Sequence, residues 1–156
     1  MNAIAPSVAL FILALDQLSK FLILQNIQPG DSIEVVRNVF CLTLIYNTGA
    51  AFGIFKNQTI LFTTISILSI LVIITYYIRH KGRAYPIRQL ALAFIFSGAL
   101  GNLIDRLRFG YVVDFLDFKI WPVFNIADSA ITIGVFLLIF SMVVCNRKGF
   151  YASGII

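Results

Sequence analysis

The sequence is short of charge: 12% of its residues are Asp, Glu, Lys or Arg, against 60% that are hydrophobic. A soluble domain of this size buries one core and covers it with polar side chains, and about one residue in four is then charged. Too few polar residues are present for that surface, so lipid must solvate much of the chain. Histidine is nearly absent. The single one, His80, lies in a basic stretch, which excludes a histidine-based metal site. Two cysteines, Cys41 and Cys145, have neither paired-thiol nor zinc spacing and read as apolar packing residues. No basic residue precedes the apolar run Ile4 to Leu15, and Asp16 and Lys20 then break the apolar stretch, so the start does not read as a cleavable leader. No Pro-, Gly- or Ser-rich linker and no repeat divides the chain, so residues 1–156 read as one domain.

What is present is apolar and comes in long runs. About 20 mostly apolar residues cross the hydrocarbon core as a helix. Stretches at Pro6–Leu24, Ile60–Ile78, Ile87–Leu107 and Ala127–Val144 qualify. The formal charge of +5 is concentrated beside them. Arg79, Lys81 and Arg83 lie between the second and third runs with Arg88 just beyond, and Arg147 and Lys148 in the tail, with no acid among them. By the positive-inside rule these segments and both termini face the cytoplasm. That distribution is a topology signal and argues against nucleic-acid binding. The acids gather toward the opposite surface: Asp31 and Glu34 in one loop, Asp105, Asp114, Asp117 and Asp128 around another, Asp16 in the later half of the first run.

The first outer loop, Ser32 to Tyr46, is rich in Ile, Val, Thr and Phe with partial alternation, which predicts a small β element lying on the membrane. Asn47-Thr48-Gly49 then reads as a turn. The second outer loop interleaves Tyr111, Phe115, Phe118, Trp121 and Phe124 with polar residues, as suits the headgroup level.

Several polar residues carry possible chemistry. Asp16 and Lys20 are four apart and share a helix face. A charge at mid-helix costs about 2.5 to 3.5 kcal/mol on insertion. They read equally as a structural ion pair or as a device that places a site or substrate. In the third run Ala93, Ser97 and Gly101 form a small-residue stripe for close helix packing, beside a second stripe of Gly98, Asn102 and Asp105, with Arg106 next. Asp114 sits among Val112, Val113 and Phe115. Asp128 comes after Asn125 and Ala127 where the fourth run begins, and by itself suits a helix cap. Two carboxylates close together in a low-dielectric site cannot both ionise easily. One can then take a proton from water while the other polarises a carbonyl or protonates a leaving amine. Intramembrane acids also occur in proton-coupled transporters and as structural caps in assembly proteins. A transporter places its acids near the midplane between repeats, whereas here they collect at one surface.

Five blocks in order carry a resemblance: Asp16-Gln17-Leu18-Ser19-Lys20, Asn47 through Phe52, Gly98 through Arg106, Val112-Val113-Asp114-Phe115, and Phe124-Asn125-Ile126-Ala127-Asp128. Over nearly its full length the chain resembles the lipoprotein signal peptidases. The resemblance implies a membrane all-α fold: four transmembrane helices, a small periplasmic β-cradle, and a periplasmic helix or loop over the active site. It implies an aspartyl endopeptidase with Asp114 and Asp128 as catalytic dyad and no cofactor. Asp16, Lys20, Asn47, Gly98, Asn102, Asp105, Arg106, Asn125 and Ala127 would bind substrate or support the site. The substrate would be a diacylglyceryl-modified prolipoprotein in the bacterial inner membrane, cut before the lipidated cysteine by a protein sufficient as a monomer. Within that reading Asp105 is expected as a partner of Arg106 or of nearby backbone, and the aromatic segment Tyr111 to Trp121 as a lid.

Overall fold

A computed structural model describes residues 4–49, 58–80 and 86–152. Four helices account for most of it: α1 (Ile4–Asn26), α2 (Thr59–Arg79), α3 (Pro86–Phe109) and α4 (Ile126–Ala152). Each contains a window apolar and long enough to cross a bilayer, and the chain is a multi-pass membrane protein. The helices extend the four sequence runs by a few residues at each end, and α4 continues eight residues past the expected Val144. Of the basic connection, Lys81, Gly82 and Arg83 lie outside the described residues, as do Ala50, Ala51 and Phe52 and the side chain of Cys145. Cys41 is buried in the sheet, as its apolar reading requires.

The central helix is α3, which packs against the other three, while α1 also touches α4. Its small-residue stripe explains why. Ala93, Ser97, Gly98 and Gly101 are buried, and the two glycines lie where no side chain fits. A Cβ on Gly98 would run into the Ala127 carbonyl oxygen, and one on Gly101 would meet Asp16 Oδ2 at 2.5 Å. From α4 the fit is completed by Gly134, whose Cβ would lie 2.8 Å from the Ala91 carbonyl. By contrast α2 has no buried residue and offers most of its surface to lipid.

At one end of the bundle sits a three-stranded antiparallel sheet in the order β1 (Ser32–Val36), β2 (Phe40–Asn47), β3 (Val112–Asp117). The first two strands are the β element read from the sequence. The third comes from the aromatic segment expected as a lid. Its alternation is masked because four of its first five residues are apolar, and strands covered on both faces read as continuous apolar runs. It pairs with β2, and its Phe115 and Leu116 amides donate to the Phe124 carbonyl at 3.0 and 2.8 Å. Held on both edges, residues 112–117 form a wall of the site, and the covering loop is the segment after them. Leu44, Val113 and Phe115 pack on Ile23 and Ile27 at the end of α1, which seats the sheet on the bundle.

The Gly98 contact yields a direct expectation. The Ala127 carbonyl belongs to helix backbone and cannot move aside, so Gly98→Ala should lower stability by about 1–3 kcal/mol. Thermal unfolding in detergent measures it, and an unchanged midpoint would mean that α3 and α4 are not in backbone contact at this level.

Candidate active site

Backbone geometry brings the polar residues of α1, α3, β2, β3 and α4 together. Asn125 is the residue before α4, and its Oδ1 accepts the Asp128 amide at 2.8 Å. Asp128 Oδ2 accepts the Asn125 amide at 3.4 Å in return. This is a reciprocal capping box, with Asn125 as cap and Asp128 as the third residue of the helix. The capping role foreseen for Asp128 is therefore shared, and it occupies only one carboxylate oxygen. The Asp128 Oδ1 atom accepts the Asn102 side-chain amide at 2.8 Å.

Asp114 is buried and held by two side-chain amides. Asn125 donates to its Oδ1 at 2.6 Å and Asn47 donates to its Oδ2 at 2.8 Å. Asn125 thus touches both aspartates, one through its oxygen and the other through its nitrogen. Burial, reinforced by the nearby Asp128 carboxyl, pushes the Asp114 pKa up to about 7 against the opposing pull of the Asn47 and Asn125 amides and of Lys20.

Behind the two aspartates lies a second layer. Lys20 Nζ is 3.0 Å from Asp16 Oδ2 and 2.9 Å from Asp105 Oδ2, and it donates to Asn102 Oδ1 at 3.0 Å. Asp16 Oδ1 accepts the amide of Ala127, the residue before Asp128, at 2.9 Å. Asp105 Oδ2 accepts the amide of Val113, the residue before Asp114, at 3.1 Å. Each acid of this layer thus grips the backbone one residue ahead of a front-layer aspartate, and Lys20 ties the two grips together. The same ties involve Gln17, whose amide is shared among Asp16 Oδ2, Asp105 Oδ1 and the Gly101 carbonyl at 3.1 to 3.3 Å. Gln17 was not singled out in the sequence, although its place beside Asp16 on a membrane helix was a usable signal.

Asp105 does not pair with Arg106. Its carboxylate points to Lys20 and the Val113 backbone, while the Arg106 guanidinium donates to the Asn102 carbonyl at 3.4 Å and lies over the Phe62 ring at 5.5 Å. Adjacent helix residues project about 100° apart, so one carboxylate cannot serve both directions. Asp16, Lys20, Asn47, Asn102, Asp105, Asn125 and Ala127 all meet in one hydrogen-bonded set with Asp114 and Asp128. Gly98 belongs to the helix contact below it.

Asp114, Asp128 and Arg106 open onto a cavity of about 480 Å³. Its floor is α3 at Asn102, Ala99 and Ile95, its sides are α2 and α4, and Trp121 to Phe124 cover it. It is recessed. The Asp16–Ala127 bond sets the start of α4 level with Asp16, ten residues short of the end of α1, or about 15 Å along that helix. Irregular backbone at such depth needs protein around it; here the sheet and the covering loop supply it.

Lys20 holds two buried acids, so Lys20→Met leaves both without their cation. Removing one partner of a buried ion pair costs about 3–5 kcal/mol. The variant should unfold well below wild type in a detergent melt, while Lys119→Met, which removes a half-exposed lysine from Asp117, should lower the midpoint far less. Equal melts for the two variants would show that the second layer holds nothing together.

Comparison with known proteins gives consistent results. The family model described as Signal peptidase (SPase) II matches residues 8–144. The lipoprotein signal peptidase of Moorella thermoacetica is 52% identical over 130 residues, spanning 83% of this chain and 86% of that protein. That of Halothermothrix orenii is 48% identical over 132 residues, 85% and 90% of the respective chains. A bacterial membrane enzyme solved by the in meso method at 2.3 Å superposes with a TM-score of 0.87 and 35% identity over 95% of this chain and 92% of its own. A second, solved at 1.9 Å, gives 0.80 and 37% over 91% and 94%.

Proposed function

The chain belongs to the lipoprotein signal peptidase (signal peptidase II) family, proteases that remove signal peptides from prolipoproteins, and from that premise we propose that it is an aspartyl endopeptidase with Asp114 and Asp128 as its dyad. The observation that carries this reading is the shared Asn125, whose side-chain amide donates to the Asp114 carboxylate and whose backbone amide donates to that of Asp128, at a cavity that both aspartates line. The ionised member of the pair takes a proton from water, which attacks the scissile carbonyl carbon. The protonated member donates to the departing amine, and the tetrahedral adduct collapses with breakage of the C–N bond. Water is the nucleophile throughout, so no covalent bond forms between substrate and enzyme.

Asn102, Asn125 and Asn47 orient the carboxylates, and Asp16, Lys20 and Asp105 fix the backbone that bears them. Arg106, at the cavity wall, is placed to face substrate carbonyl groups. A recessed cavity between membrane helices suits a diacylglyceryl-modified prolipoprotein, which never leaves the bilayer, with cleavage just before its lipidated cysteine. The asymmetry of basic residues supports cytoplasmic termini and a site toward the periplasmic side of the inner membrane. Asp114, Asp128 and the residues that orient them meet within a single copy of the chain, which suits action as a monomer, with residues 1–156 as one peptidase domain.

Purified protein in detergent should cleave a diacylglyceryl-modified prolipoprotein peptide before the modified cysteine. Asp114→Asn and Asp128→Asn should each lose at least about a thousand-fold in kcat. A folded variant of either kind that still cuts at a comparable rate removes that residue from the dyad.

The pH profile adds a separate check. One carboxyl must keep its proton, and the raised pKa of Asp114 places the loss of that proton near pH 7. The alkaline limb of kcat/KM should therefore begin there. The Asn47 amide stabilises the ionised form of Asp114, so Asn47→Ala should move the limb to higher pH. A shift to lower pH would contradict the assignment.

A further inference from the structure

The cavity continues inward beyond the two aspartates, along a face of α2 that the proposed chemistry does not use. Phe62, Ile65, Ser66 and Ser69 have the i, i+3, i+4, i+7 spacing and all line it. Phe62 marks the level of the dyad, since the Arg106 guanidinium lies over its ring. At 1.5 Å per residue, Ser66 and Ser69 lie about 6 and 10 Å deeper along the helix. The wall around them is apolar, with Ile65, Ile95 and Ile131 among its members.

Hydroxyls on membrane helices ordinarily turn back onto their own backbone. Thr64 donates to the Ile60 carbonyl at 2.9 Å, Ser97 to that of Phe94 at 3.0 Å, and Thr132, on the opposite wall of the cavity, to that of Asp128 at 2.9 Å. Ser66 and Ser69 donate to no group among the described residues, and both face the cavity. They are two hydroxyl donors stacked one helical turn apart below the dyad, on a largely apolar stretch of the cavity wall.

A signal peptide supplies matching acceptors. It enters the bilayer as a helix, yet the bond to be cut must be extended and accessible. The last turn of a helix leaves four carbonyl groups unsatisfied, and such groups are costly in hydrocarbon. An extended strand advances about 3.3 Å per residue, so the depths of Ser66 and Ser69 correspond to about two and three residues on the signal-peptide side of the scissile bond. We propose that Ser66 and Ser69 donate hydrogen bonds to main-chain carbonyl oxygens of that segment and hold the substrate extended as it leaves its helix. This inference rests on the peptidase reading and adds a recognition element to it. Contacts to main-chain oxygen are independent of side-chain identity, which suits an enzyme that must accept many signal peptides.

The test is steady-state cleavage of a lipidated prolipoprotein peptide by wild type, by Ser66→Ala/Ser69→Ala, and by Ser66→Thr/Ser69→Thr, which retains the hydroxyls. Two lost hydrogen bonds should raise KM roughly ten-fold, with kcat within about two-fold, because the contacts are made equally in ground and transition states. The threonine variant should stay close to wild type. The same set is run on a substrate whose two chains are ether-linked and so lack ester carbonyls, where the alanine variant should show the same rise. An unchanged KM for the folded alanine variant overturns the proposal. So does a rise that disappears with the ether-linked substrate, since the acceptors would then be the lipid esters. Wild-type protein that cleaves neither substrate overturns the peptidase reading and this inference together.

Discussion

Everything in this structure depends on one cation held inside the membrane. Lys20 stands between two carboxylates, Asp16 and Asp105, with its third direction on Asn102. No member of that group tolerates hydrocarbon as an isolated charge. Together they satisfy one another, and the two carboxylates also accept the amides of Ala127 and Val113. The burial that makes the cluster costly also makes it directional, because each group has few alternatives. One cluster therefore joins α1, α3, α4 and β3 at a defined level in the bundle.

The consequence reaches the chemistry through the backbone. Asp114 and Asp128 are carried on different elements, a strand and a helix, and their relative placement needs a common reference. The second layer supplies it by gripping the residue ahead of each. The amides of Asn47, Asn102 and Asn125 then set the carboxylate planes. This is a division of labour between charges that fix backbone and neutral amides that orient side chains. Neutral donors suit the front layer, since a cation in direct contact would hold Asp114 ionised, whereas here burial and a neighbouring acid keep its pKa near 7.

The glycines belong to the same design. Gly98 and Gly101 let α4 and Asp16 approach α3 more closely than any side chain would allow. Without that approach Asp16 would not reach the first turn of α4, and the helix would start at some other depth. The small-residue stripe of α3 is in this sense part of the site's framework. On the opposite side α2 remains loosely engaged and largely exposed to lipid, which leaves room for a cavity between it and α4.

The four spanning helices, the β element in Ser32 to Tyr46, and the gathering of acids toward one surface were all legible in the sequence, because each rests on local composition: apolar length, β-branched residues, and the placement of charge. The polar residues that meet at the site could also be named, since an ionisable or amide side chain in a membrane segment is rarely idle. Their partners could not, beyond the Asp16–Lys20 ion pair and a backbone partner for Asp105. Asp105 stands beside Arg106 in the chain yet faces Lys20, eighty-five residues away, because helix geometry sends neighbours in different directions. Residues 111–121 read as a loop because β3 is covered on both sides and shows no alternation. Gln17 was hidden for the same reason as the Asp105 partnership, as its value lies in joining two acids from separate helices. Composition and periodicity determined which segments enter the membrane and which residues are too costly there to be incidental. Only the tertiary structure decided which charge answers which, since that depends on the rotation and depth of each helix, set by close packing at Gly98 and Gly101.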